Sequence, residues 1–223
     1  MTIAAGFVAR DGILLCSDTQ YTAADKTYRP KIVFPKCDLE ADRSVTFAFC
    51  GDEDYAKSTI DDCLSAINNL ASGASVWTIR NSIRQAISAM SKEYKAHQQV
   101  YGDYSQVPQF LVTIRDSSGR LSLFSGRDAA MASVSSYACI GTGSYIGNYI
   151  ASISQPSSFS TITDLIPIAI QMLAAAKKHD SYCGGGSHFM AIRGTERRGY
   201  YFSQGSTPDM ILEQYALHSG QVL

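Results

Sequence analysis

The chain has 223 residues, of which 45% are hydrophobic and 17% charged, and a formal net charge of −1. One α/β domain can reach this length, so we expect a single domain over residues 1–223. The near-neutral charge argues against a nucleic-acid partner or an anionic membrane surface, and no apolar run approaches the roughly 18 residues of a membrane-spanning helix.

The six cysteines show no CxxC spacing, which argues against a zinc site. A chain of this length does not need disulfides, and no signal-peptide pattern precedes the first strand-like segment. We therefore expect reduced thiols and a cytoplasmic protein.

The first predicted element is a hairpin over residues 2–18. Its strands are the apolar runs Ile3–Ala9 and Ile13–Cys16, which flank Asp11-Gly12, a strong two-residue turn signal. The next strand is predicted from alternating apolar residues at Val45, Phe47 and Phe49.

Apolar side chains then recur at helical spacing in two stretches, over residues 56–70 and 76–94. Ser75 is the expected N-cap of the second helix. An exposed loop is predicted over residues 98–107.

The second half of the chain returns to strands, with two more helices before a last hairpin and a short closing helix. The predicted strands lie at about 109–115, 120–125 and 129–139, with a last hairpin at 187–193 and 198–204. The predicted helices begin after Gly143, span about 163–178, and run from Pro208 to about Leu217. This order favours two antiparallel sheets packed between helix layers, an α+β sandwich.

Thr2 carries the chemistry that the sequence suggests. If Met1 is removed, Thr2 becomes the N-terminus and holds a hydroxyl and an amine on one residue. The amine can then take the proton from the hydroxyl, which makes a nucleophile with its own base. A threonine after an initiator methionine is common, so this interpretation depends on the rest of the chain.

Four patches, in order over almost the full length, resemble a proteasome β-type subunit of the N-terminal-nucleophile (Ntn) hydrolase family. They are Thr2 with the hairpin that ends in Ser17-Asp18-Thr19, then Lys31-Ile32, Gly141-Thr142-Gly143-Ser144, and Asp180-Ser181-Tyr182-Cys183-Gly184-Gly185. The resemblance implies a four-layer αββα sandwich.

The resemblance also implies a role for each matching residue. Thr2 would attack a peptide carbonyl, and Lys31, paired with Asp18, would lower the pKa of the Thr2 hydroxyl. Asp180 and the group at position 183 would orient the terminal amine. The family has serine there and this chain has Cys183, whose thiol is a weaker donor. Thr142 or Ser144 would supply a hydroxyl near the same amine.

The stretch after the strand at 45–49 matches the family's oxyanion hole and substrate pocket. A backbone N–H of Cys50 or Gly51 would bind the oxyanion, although the family has glycine where Cys50 stands. Ala48 and Asp52 would line the substrate pocket, and Asp52 would favour basic side chains. The alternative for Asp52 is an acidic residue in the first turn of a helix.

The implied protein is a threonine endopeptidase that needs no cofactor and no metal. Only Met1 precedes Thr2, so an aminopeptidase rather than propeptide cleavage would expose the threonine. The implied partners are a peptide or unfolded protein substrate and further copies of the chain in a homo-oligomeric ring or helical assembly. An ATPase unfoldase is a further candidate partner.

Three other functions stay open. One is a cysteine hydrolase built from His179, Asp180, Cys183 and His188. Another is an amidase or transpeptidase of the same fold that acts on small molecules. The third is a non-catalytic ring or scaffold subunit, which is favoured if Met1 is retained.

Overall fold

The computed structural model describes residues 2–22, 26–33, 44–101, 107–157, 159–193 and 199–203. Met1, Cys37 and the predicted helix from Pro208 to Leu217 lie outside these residues.

The strands and helices follow the predicted order. The strands are β1 Ala4–Ala9, β2 Gly12–Asp18, β3 Gln20–Thr22, β4 Lys26–Tyr28, β5 Ile32–Val33, β6 Ser44–Cys50, β7 Gln109–Arg115, β8 Leu121–Arg127, β9 Ala130–Val134, β10 Tyr137–Ile140, β11 Ser187–Arg193 and β12 Gly199–Ser203. The helices are α1 Glu53–Asn68, α2 Val76–Tyr101, α3 Ser144–Ser154 and α4 Ile162–His179.

Two five-stranded antiparallel sheets organise these strands. The first sheet has the order β10-β1-β2-β11-β12, and the second has the order β5-β6-β7-β8-β9. The predicted first hairpin is confirmed as β1–β2, in which Ala4 pairs with Ser17 and Ala9 with Gly12. A short ribbon, β3–β4, stands apart from both sheets.

Each sheet is covered on both faces, which explains why strands such as β1, β2 and β6 are buried at nearly every position. In β2, Leu14 and Cys16 pack against α3 and α4, whereas Ile13 and Leu15 turn towards the second sheet. The outer face of the second sheet packs against α1 and α2, for example through Phe47. The predicted αββα sandwich is therefore confirmed.

Side-chain caps fix where the helices begin. The Ser75 hydroxyl accepts a hydrogen bond from the Thr78 backbone N–H at 3.2 Å, as expected for the N-cap of α2. Thr161 and Asp164 form a capping box at the start of α4. No helix in the described ranges is long and apolar enough to cross a membrane.

Two predictions about elements are wrong. The segment 129–139 is not one strand, because it bends at Ser135-Ser136 and its halves join different sheets: β9 pairs with β8, and β10 pairs with β1. Residues 98–101 belong to α2 and not to an exposed loop. This crossover at residues 135–136 carries the chain from the second sheet to the first, directly before the Gly141–Ser144 loop.

Candidate active site

The two sheets bring Thr2, Asp18 and Lys31 together. Thr2 precedes β1 and Asp18 ends β2, so antiparallel pairing places them at the same end of the hairpin. The Asp18 N–H donates to the Ile3 carbonyl at 3.1 Å. Lys31 comes from the second sheet, where its carbonyl accepts from Phe49 N–H at 3.1 Å just before β5.

The Lys31 ammonium is the centre of this cluster. Its Nζ donates to the Thr2 hydroxyl, to Asp18 Oδ1 at 2.8 Å, and to the Gln20 carbonyl. These three acceptors match the three donors of an ammonium group. The ring of Tyr21 lies 4.7 Å from Nζ and adds a cation–π contact.

Both charged side chains of the Lys31–Asp18 ion pair are buried. The side chains are 1% and 0% exposed, respectively. Burial lowers the pKa of Lys31, with the charge of Asp18 opposing the shift. The charge of Asp18 and its hydrogen bond to Nζ thus favour the ammonium form that contacts the Thr2 hydroxyl.

The carboxylate of Asp18 is held by backbone donors as well as by Lys31. Oδ2 accepts from Gly184 N–H at 2.9 Å, and Oδ1 accepts from Ile3 N–H at 3.2 Å. Burial raises the pKa of Asp18, and Lys31 and these two N–H groups oppose that rise. The orientation of the carboxylate is thus fixed from three sides.

The Gly141–Ser144 loop wraps around Thr2. Gly143 N–H donates to the Thr2 carbonyl at 3.2 Å, and the Thr142 hydroxyl lies 3.5 Å from the same oxygen. Ser144 begins α3 and donates its N–H to the Gly141 carbonyl. Among the described residues, no hydrogen bond joins the Ser144 hydroxyl to Thr2, whereas the Thr142 hydroxyl reaches the Thr2 carbonyl oxygen.

We expect Gly141→Ala to unfold or strongly destabilise the protein. Gly141 has φ +91°, and a Cβ there would lie 2.2 Å from the Thr2 carbonyl oxygen. Gly73→Ala is the matched control, because Gly73 has φ +80° with nothing within 4 Å of the added Cβ. Denaturant titration should give a loss of about 1 kcal/mol for Gly73→Ala and at least about 3 kcal/mol for Gly141→Ala. Equal losses in the free energy of unfolding for the two variants would mean that a Cβ at position 141 does not clash with the Thr2 carbonyl.

Asp180 and Cys183 lie at the turn that follows α4. Asp180 is the C-cap of α4, and its Oδ1 accepts from Tyr182 N–H at 2.9 Å. The Cys183 N–H donates to the Asp180 carbonyl at 2.9 Å. A Cβ added to Gly143 would lie 2.7 Å from Cys183 Sγ, so the thiol packs directly on the loop that wraps Thr2.

The environment of Cys183 disfavours a thiolate. Burial, with the charges of Asp18 and Asp180, raises the pKa of the thiol to about 12. A cysteine nucleophile needs the opposite shift. His188 pairs with Ser17 in the first sheet, and burial lowers its pKa. The cysteine-hydrolase alternative therefore loses its nucleophile.

Comparison with known proteins identifies the fold of this chain. No family model and no curated protein matches the sequence. Solved structures of Anbu match instead: a Gly-1 mutant from Hyphomicrobium sp. strain MC1 is 12% identical, with a TM-score of 0.76 over 99% of this chain and 94% of that one. Anbu from Yersinia bercovieri, described as an ancestral β-subunit, is 11% identical with a TM-score of 0.76 over 98% and 94%.

The chain has a proteasome-like fold. A further neighbour, a helical assembly of the Anbu complex from Pseudomonas aeruginosa, is 14% identical, with a TM-score of 0.72 over 98% of this chain and 94% of that one. At such identities the shared property is the fold, so the chemistry of the site has to be argued from the residues of this chain.

Within the proteasome-like fold, the predicted oxyanion residues lie beside the Thr2 loop. Cys50 ends β6 and is 2% exposed. A Cβ on Gly141 would lie 3.4 Å from Cys50 Cβ, which places this strand end against the Thr2 loop. Gly51 follows with φ +98°, a conformation that favours glycine.

The two predicted pocket residues lie at the end of β6 and the start of α1. Ala48 is fully buried in the core between the two sheets, and its role in a substrate pocket stays a prediction. Asp52 is the N-cap of α1, where its Oδ1 accepts from Asp54 and Tyr55 N–H at 3.1 Å each. These hydrogen bonds agree with the alternative interpretation of Asp52 as an acidic residue at the start of a helix.

Sequence reasoning missed three groups of the cluster. The Gln20 carbonyl and the Tyr21 ring contact Lys31, and the Gln20 side chain donates to the Ser181 carbonyl at 3.0 Å. Gln20 and Tyr21 follow Asp18 almost directly. Their position close to Asp18 is the only feature of the sequence that could have indicated that they belong to the site. No group of three His, Cys, Asp or Glu side chains able to hold a metal ion occurs in the described part of the chain.

Proposed function

We propose that this chain is a threonine peptidase in which Thr2 becomes the nucleophile after cleavage of the Met1–Thr2 bond. One observation carries the proposal. The buried Lys31 ammonium donates at once to the Thr2 hydroxyl and to Asp18. A buried cation held against a hydroxyl favours the alkoxide that forms as the hydroxyl attacks.

Cleavage before Thr2 supplies the missing base. The nitrogen of Thr2 in a peptide bond is not basic, whereas the free amine can accept the hydroxyl proton. Thr2 is 1% exposed, so the proposal also requires that the hydroxyl becomes accessible when the preceding residue leaves.

The proposed reaction runs in two halves. The amine of Thr2 takes the proton from Oγ1, Oγ1 bonds to the substrate carbonyl carbon, and the C–N bond breaks as the amine returns the proton to the leaving nitrogen. Water then attacks the resulting ester and gives a proton to the same amine. The bond between the carbonyl carbon and Oγ1 breaks, the amine returns the proton to Oγ1, and the carboxylic acid product leaves. Backbone N–H groups near Cys50 and Gly51 would bind the oxyanion in both halves.

Three further residues would position the amine and the hydroxyl. Cys183 lies beside Gly143, whose N–H holds the Thr2 carbonyl, and the Asp180 carbonyl accepts from the Cys183 N–H. Thr142 approaches the same carbonyl. The weaker thiol donor in place of a serine hydroxyl predicts looser control of the amine in this chain.

We further propose a homo-oligomeric assembly. The support is the likeness to the Pseudomonas aeruginosa protein, which is described as a helical assembly. Such an assembly would enclose the peptidase sites and restrict them to peptides or unfolded chains.

The proposed function is tested by intact-mass measurement before and after treatment with a peptide epoxyketone, which reacts with a hydroxyl and an amine on one N-terminal residue. We expect loss of the mass of one methionine and a single adduct, both relative to the sequence, and no adduct in Thr2→Ala. Retained Met1 with no adduct would contradict the proposal and favour a scaffold role.

Asp52→Asn separates the two interpretations of Asp52. Asparagine caps a helix about as well as aspartate, so the free energy of unfolding should change by less than about 0.5 kcal/mol. If Asp52 also faces the substrate, the preference in kcat/KM for arginine over leucine before the cut should fall about tenfold. Asp52→Ala is the control, since it removes the cap as well and should cost about 1 kcal/mol. An unchanged preference in Asp52→Asn would leave Asp52 as a cap alone.

A further inference from the structure

A groove lies between α2 and the open edge of the second sheet. It encloses a cavity of about 400 Å³, lined on the helix side by Arg80, Asn81 and Arg84 and on the strand side by residues 129–132. β9 ends the order of this sheet and pairs only with β8 among the described strands. Lys31 precedes β5 at the other edge, so about four strand spacings, roughly 20 Å, separate the groove from the Thr2 cluster.

The sequence of β9 contains none of the usual blocks to pairing with another strand. Edge strands are normally protected by charged side chains or proline, whereas β9 reads Ala-Met-Ala-Ser-Val. Ala130, Ala132 and Ser133 are exposed, and Met131 is buried in the core under α1 and α2. Because the exposed side chains are small, the backbone of a further extended segment can approach β9 closely.

Two arginines beside this edge have no acidic partner in the described part of the chain. Arg80 donates through Nη1 to the side-chain oxygen of Asn81 at 3.0 Å and through Nη2 to the Met131 carbonyl. Its Nε is buried and has no acceptor. The side chain of Arg84 forms no hydrogen bond or ion pair with a described residue. Both guanidinium groups therefore keep unused donors and an uncompensated charge.

The acidic residue that precedes the strand side of the groove is held by other partners. Asp128 Oδ1 lies 2.7 Å from Lys95 Nζ and accepts from the Ser91 hydroxyl at 2.8 Å. The groove thus has an excess of two positive charges in a chain whose net charge is −1. Such a local field attracts acidic segments and repels basic ones.

Two aromatic rings hold the first arginine in place. The guanidinium carbon of Arg80 lies 5.4 Å from the ring centroid of Trp77 and 5.9 Å from that of Phe124, and both contacts are of the cation–π kind. Trp77 is 55% exposed. Tryptophan and arginine are enriched among the residues that dominate binding energy at protein interfaces. The guanidinium is therefore preorganised beside the edge, with apolar surface next to it for the same partner.

The spacing of the arginines matches that of an extended segment. Arg80 and Arg84 are four residues apart on α2, so they lie on one face of the helix and about 6 Å apart along its axis. Alternate side chains of a strand share one face and are separated by about 6.8 Å. Two acidic side chains at alternating positions of an added strand can therefore reach one arginine each.

We propose that this groove binds an extended segment of a partner protein with acidic residues at alternating positions, which adds to β9 as a further strand of the second sheet. Backbone hydrogen bonds to β9 supply affinity, and the carboxylates on Arg80 and Arg84 fix the register and supply specificity. The inference does not rest on the proposed peptidase function.

The fluorescence of Trp77, the single tryptophan of the chain, reports on the groove. The probe is a capped octapeptide of alternating glutamate and valine, titrated into the full-length chain. We expect a saturable change in fluorescence with one peptide per chain, and weaker binding as salt is raised. A peptide with lysine in place of glutamate should not bind. The glutamate peptide with every backbone amide N-methylated cannot donate to β9 and should bind at least about tenfold more weakly.

Three variants test the residues of the groove. Arg84→Gln has no hydrogen bond or ion pair to lose in the free chain and should raise Kd about tenfold. Ala132→Glu places a carboxylate on an exposed position of β9 and should weaken binding by at least about tenfold. Arg120→Gln is the matched control, because it removes the same charge from an exposed residue between β7 and β8 and should leave Kd unchanged. Thermal melting verifies that each variant is folded.

The proposal is overturned if the glutamate peptide does not bind, if the lysine or N-methylated peptide binds as tightly, or if Arg84→Gln leaves Kd unchanged. Self-association of the free chain that Ala132→Glu abolishes would assign the edge to a second copy and would also overturn it. Thr2→Ala should bind the glutamate peptide with the same Kd as the unmodified chain. Failure of the peptidase and failure of this groove are therefore distinguishable.

Discussion

Thr2→Ala is expected to abolish peptide hydrolysis, with kcat falling by at least about 10⁴-fold. The variant keeps the terminal amine after Met1 removal but has no oxygen to attack the carbonyl. The residual rate would come from binding and from the oxyanion donors alone. A steady-state assay with a fluorogenic peptide measures the loss, with intact mass verifying that residue 1 has been removed.

Two controls make this result specific. Thr2→Ser keeps a hydroxyl on the N-terminal residue and should retain measurable activity. Thr113→Ala removes another threonine that is 1% exposed, from β7 of the second sheet, and should leave kcat unchanged. Activity that survived in Thr2→Ala would exclude Thr2 as the nucleophile.

Lys31→Met is expected to lower both activity and stability, with a loss of about 3–5 kcal/mol in the free energy of unfolding. The substitution keeps most of the side-chain volume but leaves Asp18 as an unpaired charge that is 0% exposed. Denaturant titration measures the stability. The adduct assay with the epoxyketone reports whether Thr2 still reacts without its ammonium contact.

A double-mutant cycle measures the interaction energy between Lys31 and Asp18. Lys31→Met with Asp18→Asn removes both charges while keeping an amide oxygen for the backbone donors. It should therefore be more stable than the sum of the single losses predicts, by about 1–3 kcal/mol. Lys57→Met is the surface control, since Lys57 is 49% exposed and pairs with Glu53; it should cost less than about 1 kcal/mol. Additive losses in the cycle would show that Lys31 and Asp18 do not depend on each other.

The long elements could be predicted from the sequence because their patterns repeat. Turn chemistry at Asp11-Gly12 and helical spacing over residues 56–70 each gave several consistent signals. Strands β3, β4 and β5 have three, three and two residues, which is too short for alternation to be recognised. The break at Ser135-Ser136 escaped because two serines between apolar residues do not show that the chain leaves one sheet and enters the other.

The candidate site was predictable only through the family resemblance. Lys31 is 29 residues from Thr2 and Gly143 is far later in the chain, so no local pattern links them. Asp52 was ambiguous for a physical reason, because the same carboxylate that suits a helix start would suit a basic substrate. Contacts through backbone atoms, such as the Gln20 carbonyl on Lys31, leave no trace in residue types.

The residues of the Thr2 cluster come from both sheets, which determines when the cluster can form during folding. Thr2 and Asp18 belong to one sheet, Lys31 is attached to the other, and the Gly141–Ser144 loop arrives only after the crossover at residues 135–136. Contacts of such sequence separation form late, since their loop-closure entropy must be overcome first. Under the proposed function, a nascent or half-folded chain would therefore carry no competent nucleophile, and it could not cleave nearby chains before its own fold is complete.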